Sequence, residues 1–146
     1  FDKLTILING EVNIYSGVDD KYYKIFGTPY CKDFGCWAYM PGDAILPSVY
    51  STIPKDVDIL MCHDSPQVGY VANIMEQKSE TYPNGVPAGN IYLFDEIVEK
   101  KPKYVLSGHI HSGDHTLQEY AGTKYANVSI LDESYSIKYK PLTFEL

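Results

Sequence analysis

Positive charge is in short supply: 12 Lys and Arg against 19 Asp and Glu leave a net charge of −7 over 146 residues. Proteins that track nucleic acid neutralise many phosphates with Lys and Arg, so an extended nucleic-acid groove is excluded. One phosphate held by metal ions is not excluded, because a cation reverses the sign of a small site. Cysteine is scarce as well. Cys31, Cys36 and Cys62 are odd in number and are not spaced as a disulfide framework, which points to a reducing, cytoplasmic setting. No apolar run is long enough to span a bilayer, so no membrane partner is expected. Repeats, charge blocks and low-complexity tracts are absent, and no targeting segment is visible in residues that begin with Phe1.

Aromatic residues, by contrast, are abundant. The 14 tyrosines favour strands, where one side of the ring packs and the hydroxyl reaches water or a partner. Leu4 to Ile8 reads as a strand ending at the Asn9-Gly10 turn, with Val12 to Tyr15 placed to pair with it as a hairpin. Tyr22 to Phe26 is a further strand. Residues 27 to 43 read as loop with a short strand over Trp37 to Met40, and Trp37 itself as core packing. Val57 to Cys62 is a near-continuous apolar run, as in a strand covered on both faces. Residues 64 to 88 are irregular, with a helical turn around Ala72 to Gln77.

Ala88 to Lys101 is the one strong helix. Ile91, Phe94, Ile97 and Val98 form its apolar stripe, Glu96, Glu99 and Lys100 face water, and Pro102 stops it. Tyr104 to Leu106 makes a short buried strand running into Gly108-His109-Ile110-His111. Thr116 to Tyr120, Tyr125 to Ile130 and Ile137 to Phe144 complete the strands. The fold class is therefore α/β, rich in strand.

Three of the four histidines follow buried strands: His63 after VDILMC, His109 and His111 after YVLS. Consecutive strands joined by a helical crossover usually lie parallel, so both ends emerge on one edge of the sheet, where open α/β folds place their chemistry. The i, i+2 spacing turns His109 and His111 to one side of an extended segment and Ile110 to the other. Gly108 removes a side chain where the backbone turns close to what the rings hold. Neutral imidazoles suit Zn, Mn, Fe, Co or Ni without choosing among them. A His on a turn is by itself surface decoration; three at the ends of two core strands is a narrower observation.

Strand-His63-x-x-Pro66, then helix, Lys101-Pro102, strand and Gly108-His109-x-His111, resembles the C-terminal half of calcineurin-like metallophosphoesterases, and most of all their small phosphodiesterase-type branch. Lys24 to Pro29, Trp37-Ala38, Ile53-Pro54 before Asp58-Ile59-Leu60, and Asn127-Val128-Ser129 match that branch in order and spacing, so the similarity covers roughly residues 20 to 145. One departure is Asp64-Ser65-Pro66, where the branch commonly has a Gly and two Pro. The resemblance implies that His63 and His109 serve one divalent transition metal and His111 a second. It also implies the C-terminal half of a two-sheet sandwich flanked by helices. The family's Asp-x-His, bridging Gly-Asp and Gly-Asn-His segments have no counterpart here, since Gly42-Asp43 lies in a Pro-flanked loop without the expected context.

The expectation is thus a hydrolase of phosphomonoesters or phosphodiesters, acting on a small phosphate ester. This chain carries histidine ligands but no catalytic residue of its own and is inactive alone. Two metals about 3.5–4 Å apart hold a hydroxide and stabilise charge during in-line attack, and neutral histidines provide no bridging carboxylate between them. An absent N-terminal half would leave one sheet face exposed and open to association with that half or with another copy. The alternative is a non-catalytic protein-interaction module retaining the fold. Lesser candidates are His115 as a surface His or substrate contact, and a zinc site from Cys31, Cys36, Cys62 and His63, opposed by Cys62 pointing away from His63. Asp64 and Asp114 are either imidazole-orienting or solvated acids. Ser65, Ser107 and Ser112 lack an activating His–acid pair.

Overall fold

Alternation along the strands puts one row of large side chains on a single face of an open mixed sheet, against two helices. The computed structural model describes residues 4–146. In chain order the elements are β1 (Gly10–Ser16), β2 (Lys21–Thr28), α1 (Leu46–Tyr50), β3 (Ile59–Cys62), β4 (Asn73–Ile74), β5 (Val86–Pro87), α2 (Ile91–Lys100), β6 (Tyr104–Ser107), β7 (Gln118–Tyr120) and β8 (Thr123–Asn127). Six strands form one sheet in the order β1-β2-β3-β6-β8-β7, and β4 pairs with β5 apart from it. The central strands β2, β3, β6 and β8 run parallel, with β1 and β7 antiparallel at the edges. The chain is a strand-rich α/β protein. Among the described residues, no helix is long and apolar enough to cross a membrane.

Phe26, Leu60, Val105 and Tyr125 stand opposite one another across the parallel strands and are all buried. They meet Leu46 and Tyr50 of α1 and Leu93 and Ile97 of α2. Each such aliphatic side chain contributes roughly 1.5–3 kcal/mol by leaving water. One residue further along, the register row of Gly27, Met61 and Leu106 faces the opposite side, where Met61 is 48% exposed. Ile14, Ile25 and Leu106 border the same groove, and Tyr104 stacks on Phe144 of the C-terminal segment at 4.7 Å.

Several local expectations are corrected. Leu4 to Ile8 forms no strand: Leu4 is 77% exposed, Asn9 turns the chain with φ 46°, and β2 takes β1 as its edge partner instead. Trp37 to Met40 is turn, not strand, and Trp37 is 69% exposed instead of core. Ala72 to Gln77 holds β4, since Asn73 pairs with Pro87 and its amide donates to Asn84 O, which a helical turn would forbid. Ile137 to Phe144 makes a single bridge, Leu131 with Ile137, and no strand. The short α1 has no apolar periodicity long enough to announce it. In α2 the buried line is Leu93 and Ile97, leaving Ile91 on the exposed side. Asn90 caps that helix by accepting from Tyr92 and Leu93 N–H, and Lys101 ends it in the left-handed region, φ 54°.

Candidate metal centre

The row Thr28, Cys62, Ser107 and Asn127 ends the parallel strands in register. Beyond it each of three neighbouring strands delivers a donor: Cys31 after β2, His63 after β3 and His109 after β6. The His63 and His109 rings lie 5.0 Å apart, and Cys31 Sγ and a nitrogen of each ring all fall within 4.8 Å of one another. Cys31 is buried, His109 half-buried and His63 open to solvent along one edge.

Backbone bonds hold these loops together. His63 N–H donates to Thr28 O at 3.0 Å, Gly108 N–H to His63 O at 3.3 Å, and Cys31 N–H to Tyr39 O at 3.1 Å. Ser65 Oγ reaches Gly108 O at 2.5 Å and Ser107 Oγ at 3.3 Å, so both hydroxyls act as staples between strand ends. His109 sits at φ 63° inside a three-residue turn closed by Ile110 N–H on Gly108 O at 2.7 Å. That corrects the extended geometry expected for His109 and His111. Strain of this kind in a residue with a β-carbon persists where surroundings enforce it. Gly108 is not the tight position, as a Cβ there would meet only His63 O at 3.9 Å. Gly113 is the tight one, its space closed by Val71 O and the Asn127 amide.

Asp64 is neither solvated nor in contact with an imidazole. It is 1% exposed and accepts from Lys32 N–H at 3.1 Å, Tyr50 O–H at 3.0 Å, Asn90 Nδ2 at 2.7 Å and Ser65 N–H at 2.9 Å. A carboxylate has acceptor sites for all four of these donors. Through them it ties the Cys31 loop, α1, α2 and the His63 loop together. Burial next to this carboxylate pushes the Tyr50 phenol far above its usual range.

Burial holds both His63 and His109 below the ordinary imidazole value; the Asp64 carboxylate opposes this, and nearby His111 adds to it. Both rings are therefore neutral at neutral pH, with a lone pair to offer. Burial, then the Asp64 and Asp33 carboxylates, push the Cys31 thiol up to about 11. A bound cation would reverse that, since a coordinating thiol is deprotonated by the ion.

His111 borders the same cleft without joining the donors that lie within 4.8 Å. Its Nδ1 is 2.9 Å from Asp132 O and its ring is edge-on to Tyr135 at 5.3 Å. A proton on Nδ1 leaves Nε2 as the free acceptor, the usual support of a ligating histidine. His115, expected as a surface residue, is half-buried, with Nε2 2.9 Å from His111 O and its ring stacked on Tyr139 at 3.6 Å. Asp114 closes a local turn onto Thr116 N–H at 2.7 Å. Ser112 Oγ accepts from Met75 N–H at 3.2 Å. Cys62 turns into the core, 3.7 Å from Leu106 O, and Cys36 is exposed, so the cluster of Cys31, Cys36, Cys62 and His63 does not assemble.

A cleft of about 1020 Å³ opens over the cluster, lined in part by Phe34, Trp37, Tyr39, Met40, Glu133 and Tyr135. The sequence offered Cys31 only in a zinc cluster with Cys36, Cys62 and His63, and Trp37 as core packing; the place of Cys31 beside both histidines and of Trp37 in the cleft wall was missed. The signal for Cys31 is topological: it follows a strand that neighbours the one before His63.

Fold and site together define a strand-rich α/β protein with a Cys–His–His donor cluster at the C-terminal edge of its parallel strands. No protein-family model matches the chain. It is similar to UPF0046 protein T07D4.2 of Caenorhabditis elegans, with 29% identity over 126 residues, covering 84% of this chain and 29% of that protein. The chain thus spans less than a third of the curated relative it matches.

Proposed function

We propose that this chain supplies the histidine ligands of a metal-dependent phosphoesterase site. The observation that supports this reading best is the approach of His63 and His109 to 5.0 Å between ring centres at the mouth of a large cleft. Neutral imidazoles at a parallel-strand edge suit a divalent transition ion, Zn, Mn, Fe, Co or Ni. His63 and His109 hold one such ion, and His111, supported by Asp132 O, serves a second. Bound ions supply a hydroxide and charge stabilisation for attack on phosphorus.

His63, His109 and His111 offer no bridging carboxylate, so these 146 residues are expected to turn over no phosphate ester by themselves. The substrate is a small phosphodiester or phosphomonoester, and the compartment is cytoplasmic, in keeping with three free cysteines.

A second reading, a non-catalytic interaction module, draws on the exposed apolar groove around Ile14, Met61 and Val128. Metal analysis of the purified chain beside its His109→Ala variant separates them. Loss of stoichiometric metal in the variant supports the enzyme site. Equal metal content in both, or none in either, sinks it. Metal-dependent hydrolysis of a nitrophenyl phosphodiester by the chain alone would show that no further acidic ligand is required.

A further inference from the structure

The pair of histidines has a third partner that no assigned role covers. We infer that Cys31 completes, with His63 and His109, a thiolate site for one soft divalent cation of the zinc type. This deepens the metal-site reading above and rests on it. The three donors already lie within 4.8 Å of one another. Tetrahedral zinc, with bonds of about 2.3 Å to sulfur and about 2.0–2.1 Å to nitrogen, keeps its ligands roughly 3.3–3.7 Å apart, so closure asks for shifts of about 1 Å.

Independent features hold Cys31 there. Its own N–H is bound to Tyr39 O, and the following N–H, that of Lys32, is bound to the buried Asp64 carboxylate. Lys32 Nζ is bound to Ala88 O and Gly89 O, which fixes the loop against the approach to α2. The thiol is buried and free. The two imidazoles stand across from it at a gap of ligand size.

The chemistry of the donor set follows. One thiolate and two neutral imidazoles prefer zinc or cobalt over magnesium, calcium or manganese, which favour oxygen. As the sulfur–metal bond forms, the thiol proton leaves to solvent. Three protein ligands leave a fourth position, and His63 presents the cluster to the open cleft, so water or one anionic oxygen of a ligand takes it. The two-metal arrangement would use His63 and His109 without sulfur. Ligation by Cys31 is what distinguishes this site.

Cobalt(II) titration of the 146-residue chain tests the inference, with zinc-edge X-ray absorption as a measurement that needs no variant. The expected result is one equivalent of cobalt with a near-ultraviolet sulfur-to-cobalt charge-transfer band, and a sulfur shell at about 2.3 Å around zinc. Cys31→Ser should lose the band and weaken binding roughly tenfold or more, while the exposed Cys36→Ser keeps both. Cobalt bound without the band, or zinc without a sulfur shell, overturns Cys31 ligation and leaves the histidine reading standing. No cobalt bound by the unmodified chain overturns both.

Discussion

Asn90 Nδ2 donates to Asp64 Oδ2 at 2.7 Å while its Oδ1 accepts from the first N–H groups of α2. One buried side chain thereby fixes both the start of the helix and the carboxylate beside His63. Asp64→Ala strands the Lys32 N–H, the Ser65 N–H and the Asn90 amide in a dry site, while the Tyr50 hydroxyl keeps Tyr30 O as its acceptor. At about 1–3 kcal/mol for each unsatisfied group, the loss is about 3 kcal/mol or more. Asn90→Ala removes a cap and one partner, about 2 kcal/mol together. Urea unfolding of the two variants should rank them in that order.

Acid should weaken the metal-free chain through its histidines. His63 and His109 have folded-state values below the ordinary 6.5, so the unfolded chain binds protons more readily. Their contribution is fully present above pH 6.5 and is lost as pH falls through the folded values. Urea midpoints measured across pH 7.5 to 5 should fall, and a His63→Gln, His109→Gln double variant should show a shallower decline.

His109 stores backbone strain at φ 63°. His109→Gly relieves it, whereas His109→Ala keeps a β-carbon in the left-handed region. The Gly variant should be more stable than the Ala variant by about 1 kcal/mol, a difference thermal unfolding can read. Equal stabilities would show that the turn is not strained.

Adjacent residues of β3 should respond to very different degrees. Leu60 is fully buried, and Leu60→Ala should cost about 2–5 kcal/mol. Met61, 48% exposed on the other face, should lose less than about 1 kcal/mol as Met61→Ala. Binding of a hydrophobic dye should fall in Met61→Lys with the fold retained, because that side chain lies in the exposed groove.

The approach of His63 to His109 was legible because each histidine ends an apolar run, and parallel crossovers bring such ends to one edge. The grouping of Cys31 with both histidines, in place of Cys36 and Cys62, was not legible. Cys31 stands three residues past its strand in a loop without periodicity, and its place depends on β2 lying beside β3, which no local pattern encodes. Leu4 to Ile8 has strand propensity but finds no open ladder, since β1 occupies the edge of β2. Val57 to Cys62 reads as buried on both faces, yet Met61 shows that apolar character alone does not report which face is covered.

Cys31, His63 and His109 come from three different strands separated by long stretches of chain, so the donor set is wholly non-local. Contacts of that kind form late, after loop-closure entropy has been overcome. A cation gathered there meets a complete set of ligands only once β2, β3 and β6 have paired. It should therefore act on one arm of the kinetics, slowing escape from the native state and leaving the rate of refolding nearly untouched.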